Sequence, residues 1–412
     1  MSKIVITQKE GVFYYGLFQN ENPLELYCDR IDRQSLLGDI YAARVERVAD
    51  GLGAAFVELS DGKKAYLPLK KAEGAIRQGS MSSVSSDRLK GGDILLVQIT
   101  KDAVKTKQAV ADGNVSLDGK YLVLSLGDKR MGISRKISKE KERERLKDLL
   151  DQMKADLSSD SVDNPLLGAG IIMRTNSEGV SDQEILKEWK QILSRAQKLL
   201  RRFCTAPGHT LLAREPFYCE KLPREIPTAE LEAVVTDDRE IYRSLKELYQ
   251  NDYEINSKIE FYEDSYPLYQ LYRIEHFLKR ATEKTVYLKS GGSLVIEPTE
   301  AMTVIDVNSG SVLKNKKKAQ SIFYAMNMEA AEEIASQIRF RNLSGILMID
   351  FINMSNHMQK EEVMDHLREA CLSDRVPCRV VDMTRLGICE MTRSKVRKPL
   401  WEQIRDARNN RS

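Results

Sequence analysis

The chain has 412 residues, with 64 Lys and Arg against 61 Asp and Glu and a formal net charge of +3. Hydrophobic residues make up 42% and charged residues 30%, which excludes an intrinsically disordered chain and predicts a globular protein of roughly two to four domains. No apolar run is long enough to cross a membrane, and residues 1–7 predict a strand rather than a signal peptide.

The cysteines give no sign of a zinc ribbon or a redox motif. There are six, Cys28, Cys204, Cys219, Cys371, Cys378 and Cys389, and none forms a C-x-x-C pair. Because no secretory signal is visible, we expect reduced thiols in a cytoplasmic protein.

The N-terminal segment carries two short apolar runs, at 4–6 and 12–17, on either side of a Lys-Glu-Gly turn. This pattern predicts a β-hairpin. Because two strands cannot build a core alone, we expect the hairpin to pair with a later segment. The alternating strand and helix patterns over 210–285, with one helix expected over 268–283, are the predicted partner.

The next segment, 35–125, is rich in short strands. Its apolar runs lie at 40–45, 54–59, 65–68, 94–99 and 121–124, separated by Gly- and Asp-containing turns, and they predict a five-stranded barrel of the OB type. Phe56 and Tyr66 lie on consecutive strands near Arg44 and Lys64. The two rings could stack on unpaired bases or could fill the barrel core, and their spacing favours neither interpretation.

A predicted strand over 170–173 ends at Arg174 and Thr175. Ser181, with Glu184 three residues later, forms a capping box that predicts a helix to about Phe203. A guanidinium beside a hydroxyl can hold a phosphate through charge-assisted hydrogen bonds. The alternative is an ordinary surface arginine.

The last third contains two apolar runs that each stop at a carboxylate, 303–306 at Asp306 and 346–350 at Asp350. Both predict buried strands, and a helix from about 327 to 341 between them predicts a parallel βαβ crossover. Carboxylates at the carboxyl ends of neighbouring strands, with Asn308 close by, offer the oxygen ligands that suit Mg²⁺ or Mn²⁺. The alternative is that both aspartates cap strand ends in turns.

Local basic clusters say more than the net charge does. One contains Lys101, Lys105 and Lys107, a second Lys314, Lys316, Lys317 and Lys318, and a third Arg393, Lys395, Arg397 and Lys398. Any one cluster alone indicates a solvated face. Three clusters, two of them flanking the aspartates in sequence, favour a polyanionic substrate.

These motifs give the chain a resemblance to the ribonuclease E/G family of bacterial endoribonucleases. The segment 303–310 with Asp350 downstream carries most of it. Further matches are Lys289-Ser290-Gly291-Gly292, 329–341, 386–393, 53–57, Lys107, Gly132-Ile133-Ser134-Arg135 and Arg174-Thr175. The resemblance therefore extends from about residue 12 to about residue 398.

The resemblance implies a mixed α/β chain of several subdomains. Residues 1–34 plus 214–285 would form an RNase H-like unit, interrupted by an OB-fold RNA-binding barrel at 35–118. A 5′-sensor subdomain would occupy 119–213, and a DNase I-like catalytic unit 286–412.

The resemblance also implies an activity and its residues. Asp306 and Asp350 would coordinate Mg²⁺, with Mn²⁺ as a substitute, and Asn308 would orient the reacting phosphate or a carboxylate. A 5′-monophosphate would bind Arg174, Thr175 and the backbone of Val123, and single-stranded RNA would bind Phe56, Tyr66 and Lys107. The expected protein is a Mg²⁺-dependent, 5′-monophosphate-stimulated endoribonuclease of RNA processing, including rRNA, and RNA decay.

Two features depart from the family pattern. Members usually continue into a Cys-Pro-x-Cys segment that shares zinc between two chains, and no cysteine follows Cys389 here. We therefore expect no structural zinc, and any homodimer would lack a zinc link. Pro377 stands where some members carry a basic residue. The alternative function is a non-catalytic RNA-binding protein that keeps the barrel and the basic clusters.

Overall fold

The structure is a computed structural model. It describes residues 1–32, 35–60, 62–79, 89–103, 107–158, 165–250, 252–310, 319–384 and 386–409. The chain divides into two compact units, Met1–Asp32 with Tyr218–Ser412, and Arg33–Phe217. Within the described ranges, no helix combines the length and the apolar character that a membrane-spanning segment requires.

The strands follow in chain order: β1 (Ser2–Lys9), β2 (Val12–Gln19), β3 (Asn22–Arg30), β4 (Ile40–Ala49), β5 (Ala54–Glu58), β6 (Lys64–Pro68), β7 (Ile94–Lys101), β8 (Ala109–Asp112), β9 (Ser116–Asp118), β10 (Leu122–Ser125), β11 (Gly132–Ile133), β12 (Gly170–Met173), β13 (Thr210–Ala213), β14 (Leu231–Thr236), β15 (Ile259–Phe261), β16 (Thr285–Tyr287), β17 (Ser293–Pro298), β18 (Met302–Asn308), β19 (Gly345–Asp350), β20 (Cys378–Met383) and β21 (Ile388–Arg393).

The helices are α1 (Leu69–Ala72), α2 (Glu140–Ser158), α3 (Asp182–Thr205), α4 (Tyr218–Glu225), α5 (Arg239–Leu248), α6 (Tyr253–Asn256), α7 (Leu268–Leu271), α8 (Ile274–Thr282), α9 (Ala319–Phe340), α10 (His357–Cys371) and α11 (Leu400–Asn409). This content makes the chain a mixed α/β protein.

The N-terminal hairpin does pair with a later segment, as the sequence predicts. Its sheet has the order β15-β14-β1-β2-β3, and β1 pairs β14 in parallel while β2 and β3 extend the sheet in antiparallel. The single helix expected over 268–283 is wrong, because the chain breaks into α7 and α8 at Arg273, whose φ of 46° is left-handed. A left-handed residue cannot continue an α-helix.

The C-terminal sheet has the order β16-β17-β18-β19-β21-β20, with β18 and β19 as parallel neighbours. Helix α9 connects them, which confirms the crossover, although it begins at Ala319 rather than near 327. It ends where predicted, because Asn342 adopts a φ of 50° just beyond its last turn. The apolar core lies between one face of the sheet and helices α9 and α10.

Burial of β18 and β19 is one-sided, which corrects the prediction of strands buried throughout. Ile305 and Ile349 are fully buried, whereas Val304 and Ile346 are 37% and 46% exposed. Side chains alternate between the two faces of a strand, so the second face carries the outward-pointing residues.

The barrel is present as a closed sheet. The strands run β4-β5-β6-β8-β7, β4 and β7 also pair with each other, and β13 adds to β4 outside the closed ring. The closed five-stranded ring fits an OB-like subdomain. The predicted fifth strand is wrong, since Ala109–Asp112 takes that place and Leu122–Ser125 belongs to another sheet.

That other sheet is small and has the order β11-β12-β10-β9. Helices α2 and α3 pack on it through a core in which Trp189 is completely buried. The predicted helix start is confirmed, because Ser181 is the N-cap of α3 and its hydroxyl accepts a hydrogen bond from the backbone N–H of Glu184 at 3.4 Å, which is one half of a capping box.

Candidate active site

The two aspartates lie side by side at the ends of neighbouring strands. In the parallel pairing of β18 with β19, Asp306 and Asp350 are partners in register. Partners in register project to the same face, and adjacent strands are about 4.8 Å apart. The strand ends therefore bring two carboxylates together, Asp306 half-buried and Asp350 exposed.

Asn308 lies two residues beyond Asp306 on the same face. Its side-chain Nδ2 donates a hydrogen bond to Oδ2 of Asp306 at 2.8 Å. Within the described residues, neither Asp306 nor Asp350 accepts a hydrogen bond from a backbone N–H, so the alternative of turn-capping aspartates gains no support. Asp306 and Asn308 are therefore a hydrogen-bonded pair on the strand next to Asp350, whose side chain is exposed.

Helix α9 fixes the segment after Asp350, which sequence reasoning missed. Asn327 is completely buried, donates from Nδ2 to the carbonyl of Ile352 at 2.8 Å and accepts from the N–H of Ile352 at 3.0 Å. An amide on the otherwise apolar face of a predicted helix is the signal that would have found it, because such a group must meet a polar partner.

Glu329, two residues after Asn327 on α9, binds the loop that precedes β17. Its carboxylate accepts from the backbone N–H of Lys289 at 2.6 Å and from that of Ser290 at 3.1 Å. The turn packs closely on the end of β18, since a Cβ on Gly292 would lie 2.7 Å from the carbonyl oxygen of Asn308. One helix therefore positions the chain on both sides of the carboxylate pair.

Arg174 and Thr175 follow β12 in the small sheet, as predicted from the sequence. The backbone N–H of Arg174 donates to the carbonyl of Tyr121, and its Nη1 donates to that of Gly119, both at 2.7 Å. The Thr175 hydroxyl is 2.8 Å from the hydroxyl of Ser134. Arg174 is therefore tethered to the neighbouring loop, which distinguishes it from an arginine with no local partner.

Val123 lies on β10, the antiparallel neighbour of β12, so the structure brings it into the same sheet as Arg174. The loop before β10 is held by Glu188 of α3, whose carboxylate accepts three backbone N–H bonds from Lys120 at 2.5 Å, Tyr121 at 2.8 Å and Leu122 at 3.1 Å. Sequence reasoning missed Glu188. It fixes the loop whose carbonyl groups hold Arg174.

Phe56 and Tyr66 are partners in register on β5 and β6, and their rings contact edge-to-face with centroids 6.0 Å apart. Both are half-buried, whereas their strand neighbours Ala55 and Val57 are fully buried in the barrel core. The rings therefore lie on the outer face of the barrel, and the core interpretation is wrong. The guanidinium of Arg47 lies 4.6 Å from the Phe56 centroid.

The basic clusters are only partly exposed. Lys101 and Lys107 are exposed, while Lys105 and the cluster Lys314, Lys316, Lys317 and Lys318 lie outside the described residues.

The last basic cluster corrects the sequence interpretation. Arg393 is fully buried with its Nε 2.7 Å from Asp374, and Arg397 lies 2.5 Å from Asp29. Lys398 lies 2.7 Å from Asp406 but is exposed, as is Lys395, so only the two arginines of this cluster are withdrawn from solvent. A buried guanidinium paired with a carboxylate supports the fold and is not available to a polyanion.

Comparison with known proteins identifies the family. The model of the Ribonuclease E/G family matches residues 116–396. The chain belongs to this family. It is 33% identical to Ribonuclease G of Escherichia coli K12 over 393 residues, 91% of this chain and 76% of that protein. It is 31% identical to Ribonuclease G of Haemophilus influenzae, over 93% of this chain and 77% of that protein.

Ribonuclease E of Nostoc is also similar, at 31% identity over 90% of this chain and 53% of that protein. The similarity to Ribonuclease G and Ribonuclease E extends beyond residues 116–396, since each alignment covers nine-tenths or more of this chain. Membership of the ribonuclease E/G family therefore concerns the chain as a whole.

Proposed function

We propose that the protein is a Mg²⁺-dependent endoribonuclease that cleaves single-stranded RNA. The observation that carries the proposal is the in-register pair of Asp306 and Asp350 at the carboxyl ends of adjacent parallel strands. Relatives named Ribonuclease G and Ribonuclease E support the substrate class. Because the ends of parallel strands are the usual ligand site in α/β sheets, the pair lies where a reacting group would be expected.

The donor set fits Mg²⁺, with Mn²⁺ as a substitute. Asp306, Asp350 and Asn308 offer only oxygen ligands on this face, and hard divalent cations prefer carboxylate and carbonyl oxygens. A bound Mg²⁺ would supply Lewis-acid stabilisation of the charge that develops on the scissile phosphate. Asp306 and Asp350 are the residues that would hold it.

The chain's own residues orient this site. Asn308 restrains the carboxylate of Asp306 through the 2.8 Å hydrogen bond, and Asn327 fixes the backbone just after Asp350. A pre-positioned site avoids reorganisation during the reaction. We propose products with a 5′-phosphate and a 3′-hydroxyl, and we assign no nucleophilic role to His, Cys or Ser.

We propose that Arg174, Thr175 and the Val123 backbone bind the 5′-monophosphate of the substrate. In support, Arg174 and Thr175 are each tethered by a hydrogen bond in the small sheet, so their donors are held in place before a ligand arrives. Charge-assisted bonds to a terminal phosphate would make cleavage faster on 5′-monophosphorylated RNA than on 5′-hydroxyl RNA.

We propose that Phe56, Tyr66 and Lys107 hold the single strand on the barrel. The two half-buried rings on the outer face can stack on bases without disturbing the core, and Lys107 is exposed. The finer layout also belongs to this proposal: an RNase H-like unit at 1–34 plus 214–285, the RNA-binding barrel at 35–118, a 5′-sensor subdomain at 119–213 and a DNase I-like unit at 286–412.

We further propose that the protein is a cytoplasmic enzyme that acts in RNA processing, including that of rRNA, and in RNA decay. Any homodimer would form without a zinc link.

One assay tests the function. Purified protein is incubated with a 5′-monophosphorylated, A/U-rich RNA oligonucleotide in the presence of Mg²⁺ or of EDTA. We expect internal cleavage with Mg²⁺ and none with EDTA. Tight binding of the oligonucleotide without cleavage under either condition would contradict the proposal and favour a non-catalytic RNA-binding protein.

A further inference from the structure

The register of the barrel places an arginine in line with the two exposed aromatic rings. Arg47 of β4 is the partner of Phe56 on β5, and Phe56 is the partner of Tyr66 on β6. The three side chains therefore form a row across three neighbouring strands, which we call the outer row. Partners in register share a face, so Arg47 lies on the same outer face as the rings.

The contact between Arg47 and Phe56 is specific in its geometry. The guanidinium carbon lies 4.6 Å from the ring centroid of Phe56, while Tyr66 meets the same ring from its edge at an interplanar angle of 73°. A guanidinium placed over an aromatic face gains cation–π attraction. One face of Phe56 therefore lies against the guanidinium of Arg47.

The guanidinium of Arg47 is not held in an ion pair within the described part of the chain. Across the part of the chain that the structure describes, no carboxylate oxygen lies within ion-pair distance of Arg47, whereas the nearby Glu46 is paired with Lys64 at 2.7 Å. Arg47 is exposed, so its N–H donors can reach a ligand. A planar guanidinium held by stacking is pre-organised to grip a phosphate with two parallel hydrogen bonds.

We propose that Arg47 contacts a backbone phosphate of the single strand whose bases stack on the outer row. The proposal rests on the proposed function, because it takes single-stranded RNA as the substrate. Phe56 would then have two roles: it stacks on a base, and it holds the guanidinium beside the phosphate that follows that base. Neither the spacing of residues nor the position of any basic cluster in the sequence indicates this role.

The salt dependence of binding separates a phosphate contact from a structural role. Affinity for a 5′-hydroxyl, A/U-rich RNA oligonucleotide is measured by fluorescence anisotropy in EDTA, over a series of salt concentrations. Log affinity falls as log salt rises, and losing one phosphate contact to a single strand makes that negative slope shallower by about 0.7. We expect this decrease in Arg47→Gln, which removes the charge, and not in Arg47→Lys, which keeps it.

The matched control is Lys70→Ala. Lys70 is exposed on α1, outside the outer row, and its removal changes the net charge by the same amount. We expect its slope to equal that of the parent protein. An unchanged slope in Arg47→Gln, or an equal decrease in Lys70→Ala, would overturn the assignment, because the effect would then be absent or would be a general effect of charge.

A double-mutant cycle tests the part played by the ring. In a Phe56→Leu background we expect Arg47→Gln to change affinity less than in the parent, because the ring no longer positions the guanidinium. Equal changes of affinity in both backgrounds would contradict the inference that the Phe56 ring positions the guanidinium of Arg47. Thermal melting of each variant shows whether the barrel remains folded, and if Arg47→Gln melts early its slope is measured at a temperature at which that variant is folded.

The same measurements distinguish this inference from the proposed function. If the parent protein has no affinity for single-stranded RNA, both fail together. If the parent binds and cleaves, and Phe56→Leu weakens binding, but the slope of Arg47→Gln is unchanged, only the phosphate contact of Arg47 fails.

Discussion

The acidic strand ends of the C-terminal sheet and the outer row of the barrel differ in how their candidate functional groups are held. At the strand ends, the proposed chemistry rests on two carboxylates in register, and helix α9 fixes the backbone on both sides of them. On the barrel, the candidate groups are half-exposed side chains that contact mainly each other. If the two carboxylates are the protein ligands of one cation, neither can replace the other, whereas a proposed stacking surface would divide the binding free energy among several groups. Substitutions are therefore expected to act on the rate at one region and on affinity at the other.

The largest effect is expected at the carboxylates. Asp306→Asn or Asp350→Asn removes a ligand of the proposed cation and is expected to abolish cleavage, while RNA affinity stays within a few-fold, because affinity rests on basic and stacking contacts. Cleavage assays and anisotropy measure the two quantities. Asp382→Asn, an exposed carboxylate on β20 of the same sheet, is the control and is expected to remain active. Full activity in either aspartate variant would remove the metal-site assignment.

The second-largest effect is expected from a substitution that tests whether α9 positions Asp350. Asn327→Ala leaves the N–H and carbonyl of Ile352 without their partner, which costs about 1–3 kcal/mol for each unpaired group. Displacement of Asp350 is expected to lower kcat by about 100-fold at a temperature where the variant is folded. Gln320→Ala, on the same helix, removes the side-chain oxygen that accepts hydrogen bonds from the N–H and the hydroxyl of Ser355, and it serves as the control. A folded Asn327→Ala protein with the kcat of the parent would show that the helix does not position the site.

The barrel rings are expected to affect binding and leave stability nearly unchanged. Phe56→Ala and Tyr66→Ala should each weaken single-strand binding by about 1–3 kcal/mol, because the rings lie outside the core. A core ring would instead destabilise the fold by about 3–5 kcal/mol. A melting curve measured beside a binding curve distinguishes the two results, and a large loss of melting temperature with unchanged binding would refute the stacking role.

A smaller and more selective effect is expected at the small sheet. Arg174→Ala should lose the preference for 5′-monophosphorylated over 5′-hydroxyl RNA, because a charge-assisted contact is worth about 1.5–3 kcal/mol, or about tenfold or more in kcat/KM. The ratio of kcat/KM for the two substrates is the measurement. Arg201→Ala, an exposed arginine on α3, should leave the ratio unchanged. An equal loss on both substrates would show that Arg174 supports the fold or holds the strand instead.

The smallest expected effect is that of zinc removal, because we propose zinc in neither region. Cys371 and Cys389 are buried in the sheet core and Cys378 is half-buried, so their thiols are poor candidates for a site shared between chains. We expect less than stoichiometric zinc in metal analysis and no change of oligomeric state on treatment with a zinc chelator. Stoichiometric zinc, or a dimer that dissociates with the chelator, would contradict this prediction.

Strand and helix positions around the carboxylates could be predicted because hydrophobic periodicity and local capping are properties of short segments. The crossover, the helix stop at Asn342 and the N-cap at Ser181 all follow from neighbours within a few residues. The break at Arg273 could not be predicted in this way, since arginine has no preference for a left-handed φ.

The sequence by itself determined which carboxylates lie near the carboxyl ends of the two strands and which aromatic residues lie on consecutive barrel strands, because both depend on order along the chain. Only the tertiary structure decided that Asp306 and Asp350 share a register, that Phe56 faces outward beneath Arg47, and that Arg393 is buried against Asp374. Strand register, the face of the sheet on which a side chain lies, and ion pairing all depend on contacts between residues that are far apart in sequence. Their free energies depend on packing that no local pattern encodes.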